Sequence, residues 1–306
     1  MSFSSEVKNE LCRTMPQNSC CQKAECYGLL LFGRSFSKHA VEVKAADRAS
    51  TNRTAQLAAE VTGAIVDISS SMLRRKENHD SYFISIAGDD QRGAVLSCFG
   101  HTGDEISLRI NRANLENDCC VSAFLRGVFL SCGTVTDPQK DYHLEFVVPY
   151  MNLARDLTSL IGEILELDLQ PGMLNRRGSY VVYIKGSERV ADLITFIGAG
   201  NAAMELMQTK MLKEVRNNIN RKTNFETANI EKTAQAAAAQ ILAIEKILKS
   251  SGGISALPEE LQELAVLRYR NPEMSLRELG ESLTEPLSRS GVNHRLQRII
   301  DIAEEI

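Results

Sequence analysis

Apolar residues in this chain recur at two periods, and each change of period marks an element. AECYGLLLFG, residues 24 to 33, is an apolar run of helical character closed by Gly33. HAVEVKAAD then alternates like a strand, and TNRTAQLAAEVTGA reads as an amphipathic helix. SYFISIAG (81 to 88) has the strand period, and DDQRGAVLSCF reads as a helix opened by an acidic turn. EISLRI, residues 105 to 110, is expected to be a strand or a short helix. The order then repeats. A helical run over 123 to 132 ends at Gly133, YHLEFVV (142 to 148) is a strand, and NLARDLTSLIGEILEL is a helix. The turn-rich NRRGS precedes the strand YVVYIKG (180 to 186), and SERVADLITFIGA is a helix. The closing glycines, Gly33 and Gly133, lie 100 positions apart, so the chain is expected to be an internal duplication in order of elements more than in letters.

The texture changes near residue 200. AAMELMQTKMLKEVRNNINRK is helical and turns basic, with Lys210, Lys213, Arg216, Arg221 and Lys222 against Glu214 alone over 210 to 222. An Ala-rich helix follows, and SSGG (250 to 253) reads as a hinge. Three short helices remain. PEELQELAVLRYR starts with Pro258 at its first turn, and SLRELGESL carries the capping box Ser275 and Glu278. RSGVNHRLQRIIDIAEE is preceded by Ser288 as a candidate cap. At the other end, MSFSSEVKNELC lacks the basic-then-apolar order of a secretory signal and is expected to be a helix capped by Ser4 or Ser5.

Composition narrows the classes. A chain of 306 residues is expected to hold two or three domains. No apolar run approaches ~18 residues, so no membrane span is expected. The net charge of −4 excludes a polycation, so a nucleic-acid binder of this composition must concentrate positive charge locally. The eight cysteines are expected to be reduced. Cys20, Cys21 and Cys26 cluster with Cys12, but their spacing matches no common zinc pattern. They are therefore expected to fill core volume, with zinc as the alternative, and no metal or cofactor is assigned.

The last helix carries the clearest chemistry. Val292, Leu296, Ile299 and Ala303 form one apolar stripe. The other side of its first turns offers Ser288, Arg289, Ser290, Asn293, His294, Arg295, Gln297 and Arg298, and no acid occurs from Leu287 to Ile300. A short helix, a tight turn and a second helix with a small, basic N-terminal face have the layout of a helix-turn-helix entering the major groove of DNA. Arginine suits guanine edges and asparagine adenine, while an acid there would meet phosphate. The alternative is a small helical bundle for protein contacts, because residues 258 to 306 carry six Arg and Lys against ten Asp and Glu.

LRGVFLSCG, residues 125 to 133, resembles the signature helix of LAGLIDADG homing endonucleases, with Gly127 and Gly133 at its two glycines. AECYGLLLFG matches more loosely: Gly33 fits and Gly28 is one position off. In those nucleases an acid before the closing glycine holds the metal; here Phe32 and Cys132 stand at those positions. Asp47 and Asp137 are nearby acids with no spacing that marks them as substitutes.

The combination resembles the WhiA family of bacterial DNA-binding regulators over nearly the whole chain. SFSSEVKNEL, AFLRGVFLSCGTVTDPQKDYHLEF, NRKTNFETANIEKT and SLRELGESLTEPLSRSGVNHRLQRI carry the likeness. The resemblance implies an α+β fold: a pseudo-twofold αββαββα scaffold over 1–210, with halves of about 1–115 and 116–210. A helical basic and Ala-rich linker is expected over 211–254 and a helix-turn-helix domain over 255–306. It implies a cytoplasmic, nucleoid-associated, sequence-specific binder of double-stranded DNA without nuclease activity. Its role would be transcription linked to cell division, chromosome segregation or sporulation, with other transcription or division proteins as further partners. Arg176 and Arg177, Arg74-Arg75-Lys76, and the basic residues Lys210, Lys213, Arg216, Arg221 and Lys222 are candidates for phosphate contacts, with wet turns or a solvated helix face as the alternative. The competing functions are a protein-interaction platform with weak DNA binding and an active metal-dependent endonuclease.

Overall fold

The structure, a computed structural model, describes residues 2–16, 18–45, 47–72 and 80–305. It divides into two compact units, Met1–Glu214 and Val215–Ile306. The first begins with α1 (Phe3–Arg13) and α2 (Ser19–Leu31), followed by β1 (Ser35–Phe36), β2 (Val41–Ala45) and α3 (Arg48–Thr62). Next come β3 (Val66–Met72), β4 (Asp80–Ile86) and α4 (Asp89–Cys98). The order then recurs as α5 (Asp118–Cys132), β5 (Gly133–Val135), β6 (His143–Val148), α6 (Met151–Gly162), β7 (Gly172–Arg176), β8 (Ser179–Lys185) and α7 (Ser187–Ile197). Each half folds its strands into an antiparallel sheet of the same topology, β1-β2-β4-β3 and β5-β6-β8-β7. This is the duplicated α+β scaffold.

Helices α2 and α5 join the halves. A Cβ placed on Gly28 would lie 2.3 Å from the Phe124 carbonyl oxygen, and one on Gly127 would lie 2.1 Å from that of Glu25. Both distances are far inside contact range, so only glycine lets the two backbones touch. The contacts are reciprocal, and Gly28 and Gly127 are 99 positions apart. The register of the duplication is therefore 99 at the helix crossing and 100 at the closing glycines. The extra residue lies at the foot of α5, and Gly28 is the true counterpart of Gly127.

Around this pair the core is continuous, from Leu11 and Tyr27 through Phe124 and Phe129 to Phe146 and Ile184. Ser2, rather than Ser4 or Ser5, caps α1, its hydroxyl accepting from the Ser5 amide at 3.2 Å. EISLRI is neither strand nor helix. The Glu105 carboxylate accepts the amides of Thr102 and Gly103, which bends this segment into an irregular turn, and Ile106 stands in solvent. α6 stops at Gly162, because the chain tightens into a 3-10 turn at Leu165–Leu167 and Asp168 adopts φ +40.

The unit boundary falls inside α8 (Gly200–Lys249), one helix through most of the segment expected as a linker. In the second unit, Ile244 and Ile247 of α8 are fully buried with Leu261, Leu264, Leu279, Val292, Leu296 and Ile299. The buried Arg268 donates from Nε to Gln240 Oε1 at 2.9 Å and from Nη1 to the Met274 carbonyl at 2.6 Å. It thereby fixes α8 to α9 (Glu259–Arg270) and to the turn before α10 (Leu276–Glu281). Gly28→Ala or Gly127→Ala is expected to cost at least about 3 kcal/mol, the upper end of overpacking penalties, because a backbone carbonyl cannot yield. Thermal unfolding checks this, with Gly93→Ala in the open face of α4 as a control expected to leave stability unchanged or slightly raised.

Candidate nucleic-acid interface

The helix-turn-helix of the second unit consists of α10 and α11 (Arg289–Glu305). Ser275 and Glu278 form the complete capping box, the Ser275 amide donating to Glu278 Oε2 at 2.8 Å. Those hydrogen bonds hold the Glu278 carboxyl below the usual carboxylate range. Ser288 Oγ accepts the Gly291 amide at 3.2 Å and starts α11. Between the helices, Leu287 donates its amide to the Gly280 carbonyl at 3.0 Å. A Cβ on Gly280 would stand 2.3 Å from the Leu287 carbonyl oxygen, so the tightness of this turn rests on that glycine.

With Val292, Leu296, Ile299 and Ala303 buried, α11 turns Ser288, Arg289, Ser290, Asn293, His294 and Gln297 to solvent. Arg295 and Arg298 are half-buried and bend back to α9. Arg298 Nη1 pairs with Glu260 Oε1 at 2.6 Å, and Arg295 Nη1 donates to the Glu260 carbonyl at 3.0 Å. Gln297 donates to Asp301 along its own helix at 3.0 Å. The first turn of α11 also borders a cavity of about 510 Å³ lined by Lys232, Arg268, Arg277, Arg289 and Asn293 among others, with no carboxylate in its lining. Neither the role of Glu260 nor this positive cleft is visible in a local motif, since the first depends on how α9 packs on α11 and the second on how α8, α9, α10 and α11 come together.

The other candidates for phosphate contact separate by environment. Arg176 forks onto Glu145 at 2.6 and 3.2 Å. Burial opposes ionisation of Glu145, but hydrogen bonds from Arg176 and His143 outweigh it and hold the carboxyl below its ordinary range. Arg177 sits at the β7–β8 turn with φ +53. Lys210 pairs with Glu188 at 2.9 Å, and Lys213 donates to the Pro138 carbonyl at 2.8 Å beneath the Tyr142 ring. Arg216, Arg221 and Lys222 are exposed. Arg74, Arg75 and Lys76 lie outside the described residues.

At the feet of α2 and α5 a cavity of about 440 Å³ opens between the sheets, lined by Phe32, Gly33, Arg34, Lys44, Ser131, Cys132, Val147, Pro149 and Ser179. Its lining contains two cations and no carboxylate. Phe32 is buried edge-on against Phe124. Cys132 is only half-buried as a residue, but burial around its sulfur pushes the thiol up to about 12. Asp47 is committed to α3, its two carboxylate oxygens accepting from the Ser50 amide and hydroxyl at 2.7 and 2.9 Å. Asp137 accepts the Gln139 amide in a turn.

The sequence also gave no signal for a buried charge cluster between the halves. Glu25 of α2 is wholly buried and receives Arg53 at 2.9 and 3.1 Å and Arg126 of α5 at 3.2 Å. Arg126 donates a further 2.7 Å hydrogen bond to the Ile197 carbonyl. Two positive groups against one negative, each with extra carbonyl acceptors, satisfy the desolvated charges.

Profiles of two domains match the chain: the WhiA LAGLIDADG-like domain over residues 121–216 and the WhiA C-terminal HTH domain over 219–303. A relative from Ruminiclostridium cellulolyticum, named probable cell division protein WhiA, is 38% identical over all of this chain and 98% of its own length. The chain belongs to the WhiA family. A second WhiA of the same name, from Alkaliphilus metalliredigens, is 36% identical over 99% of this chain and 98% of its own. The crystal structure of full-length DUF199/WhiA from Thermotoga maritima matches with a TM-score of 0.61 at 26% identity, covering 100% of this chain and 99% of that one. The chain thus couples a LAGLIDADG-like unit to a C-terminal helix-turn-helix, and none of its described helices is long and apolar enough to cross a membrane.

Two substitutions test the scaffold beneath the interface. Glu25→Ala leaves two buried guanidinium groups without their carboxylate and is expected to cost about 3–5 kcal/mol, read by chemical denaturation. Gly280→Ala is expected to lower the unfolding midpoint of the second unit while leaving the first unit's transition in place.

Proposed function

We propose that this chain binds double-stranded DNA sequence-specifically, choosing its site with the N-terminal face of α11, and regulates transcription linked to cell division, chromosome segregation or sporulation. The observation that carries this reading is the set Ser288, Arg289, Ser290, Asn293 and His294. These side chains are polar, exposed and free of acidic neighbours on a helix whose opposite stripe is buried. Such a helix end can meet base edges without repelling phosphate, and its guanidinium, amide and imidazole donors match purine edges. Arg295 and Arg298, held back by Glu260, have the reach of phosphate contacts at the rim of that face. Exposed Arg216, Arg221 and Lys222 add salt-sensitive affinity. The name of the relatives ties the family to cell division.

The LAGLIDADG-like unit is proposed to act as scaffold without nuclease activity. Hydrolysis of this kind needs carboxylates to hold the divalent ion, and the cavity at the helix feet presents Arg34 and Lys44 instead. The intact chain is expected to leave supercoiled plasmid uncut in magnesium or manganese. Cleavage that co-purifies with the protein and disappears on substitution of a residue lining that cavity would overturn the assignment.

Site selection by the chain on genomic fragments supplies the binding sequence for quantitative tests. Arg289→Ala and Asn293→Ala are each expected to weaken specific binding about 5- to 100-fold, the range of one good base contact, and to leave low-salt non-specific binding nearly intact. Binding of both variants like wild type would remove α11 as the reader. Arg221→Ala with Lys222→Ala is expected to weaken all sequences alike and to flatten the logarithmic salt slope by about 2.

A further inference from the structure

Four of the eight cysteines meet where no sequence spacing joined them. Cys20 and Cys21 lie in the first turn of α2, and Cys119 and Cys120 in the first turn of α5. Their four sulfurs all lie within 4.8 Å of one another. Cys12 and Cys26, their expected neighbours, are elsewhere: Cys12 Sγ faces Ser50 Oγ at 3.8 Å, and Cys26 is buried in the core. The duplication explains the meeting. Each pair repeats at the 99-residue register of the helix crossing, Cys20 with Cys119 and Cys21 with Cys120. Cys21 and Cys120 precede Gly28 and Gly127 by seven positions, two helical turns, so they stand on the stripe that faces the partner helix. The glycines bring the backbones together, and the cysteine pairs converge about 10 Å along the axes.

We propose that Cys20, Cys21, Cys119 and Cys120 form a four-thiolate site for a tetrahedral, thiophilic divalent cation of the zinc class, which clamps the first turns of α2 and α5 and so joins the two halves. A metal–sulfur distance of about 2.3 Å sets sulfurs of a regular tetrahedron about 3.8 Å apart. The cluster is within about an ångström of that geometry. Cys119 is exposed and Cys20 half-exposed, so their side chains are free to close the difference by rotation, while Cys21 and Cys120 are already held in the interior. An iron–sulfur cluster, whose thiolates ligate different irons, needs a wider set. Binding converts the four thiols to thiolates and releases their protons to solvent, leaving two net negative charges on the site. Both helices present their positive N-terminal ends to that charge. Their N-cap residues, Asn18 and Asn117, also correspond at the register of 99, and neither caps its helix through its side chain.

The full chain, purified under reducing conditions without chelator, is expected to hold about one zinc per molecule by elemental analysis. Metal-free wild type titrated with cobalt(II) is expected to develop the intense visible bands and the thiolate charge-transfer absorption of a tetrahedral sulfur site, with an end point of about one equivalent. The double variant Cys20→Ser, Cys120→Ser is expected to lose both signals, while Cys12→Ser and Cys98→Ser keep them. Reduced wild type that gives no tetrahedral cobalt spectrum overturns the proposal whether or not the variants fold. So does intact-mass evidence that the four cysteines pair as disulfides in the reducing preparation, or zinc content unchanged in the double variant.

Discussion

The contact between the backbones of α2 and α5 is the constraint on which the first unit depends. Two helices approach this closely only where neither carries a side chain, and Gly28 and Gly127 supply that gap reciprocally, each against the other's preceding turn. Every other relation between the halves is set by that crossing. It fixes the register of the duplication, brings Glu25 under Arg126, sets two antiparallel sheets of equal topology on either side, and delivers the four first-turn cysteines to one place. At the opposite end the same crossing brings Ser131 and Cys132 beside Phe32 and Gly33, where a nuclease of this fold would need acids.

Much of this organisation was legible in the sequence because it follows periodicity. The long amphipathic and apolar runs became helices with small shifts of boundary, and the strands read from alternation, such as 142 to 148, pair as expected. The helix-turn-helix was equally readable, since the Ser275–Glu278 box and the apolar stripe from Val292 to Ala303 are local patterns. The strands β1, β3, β5 and β7 were less visible. β1 and β5 are two and three residues long, β3 carries three consecutive serines, and β7 is largely exposed, so none has an apolar pattern to announce it.

What stayed hidden depends on pairs far apart in the chain. Counting back from the closing glycines put the repeat at 100 and made Gly28 look displaced, because α5 runs one residue further at its foot. The Glu25 cluster reads as one charge in an apolar helix until α3 and α5 are placed around it. Glu260 looks like an ordinary first-turn acid, although it binds two arginines of α11. The cysteines fail every ligand-spacing rule because those rules describe one loop or hairpin, and here the pairs come from two copies of the same helix start.

The sharing of Glu25 has a consequence for how such a protein can change. A fragment holding only the first half would carry Glu25 and Arg53 in an interface stripped of Arg126, and one holding only the second would expose Arg126 beside an uncovered Gly127 furrow. At the 99-residue register Glu25 corresponds to Phe124 and Arg126 to Tyr27, so a symmetric dimer of the first half would lack Arg126 and one of the second half would lack Glu25. The charge cluster at the seam is thus a property of the fused chain and of neither half alone.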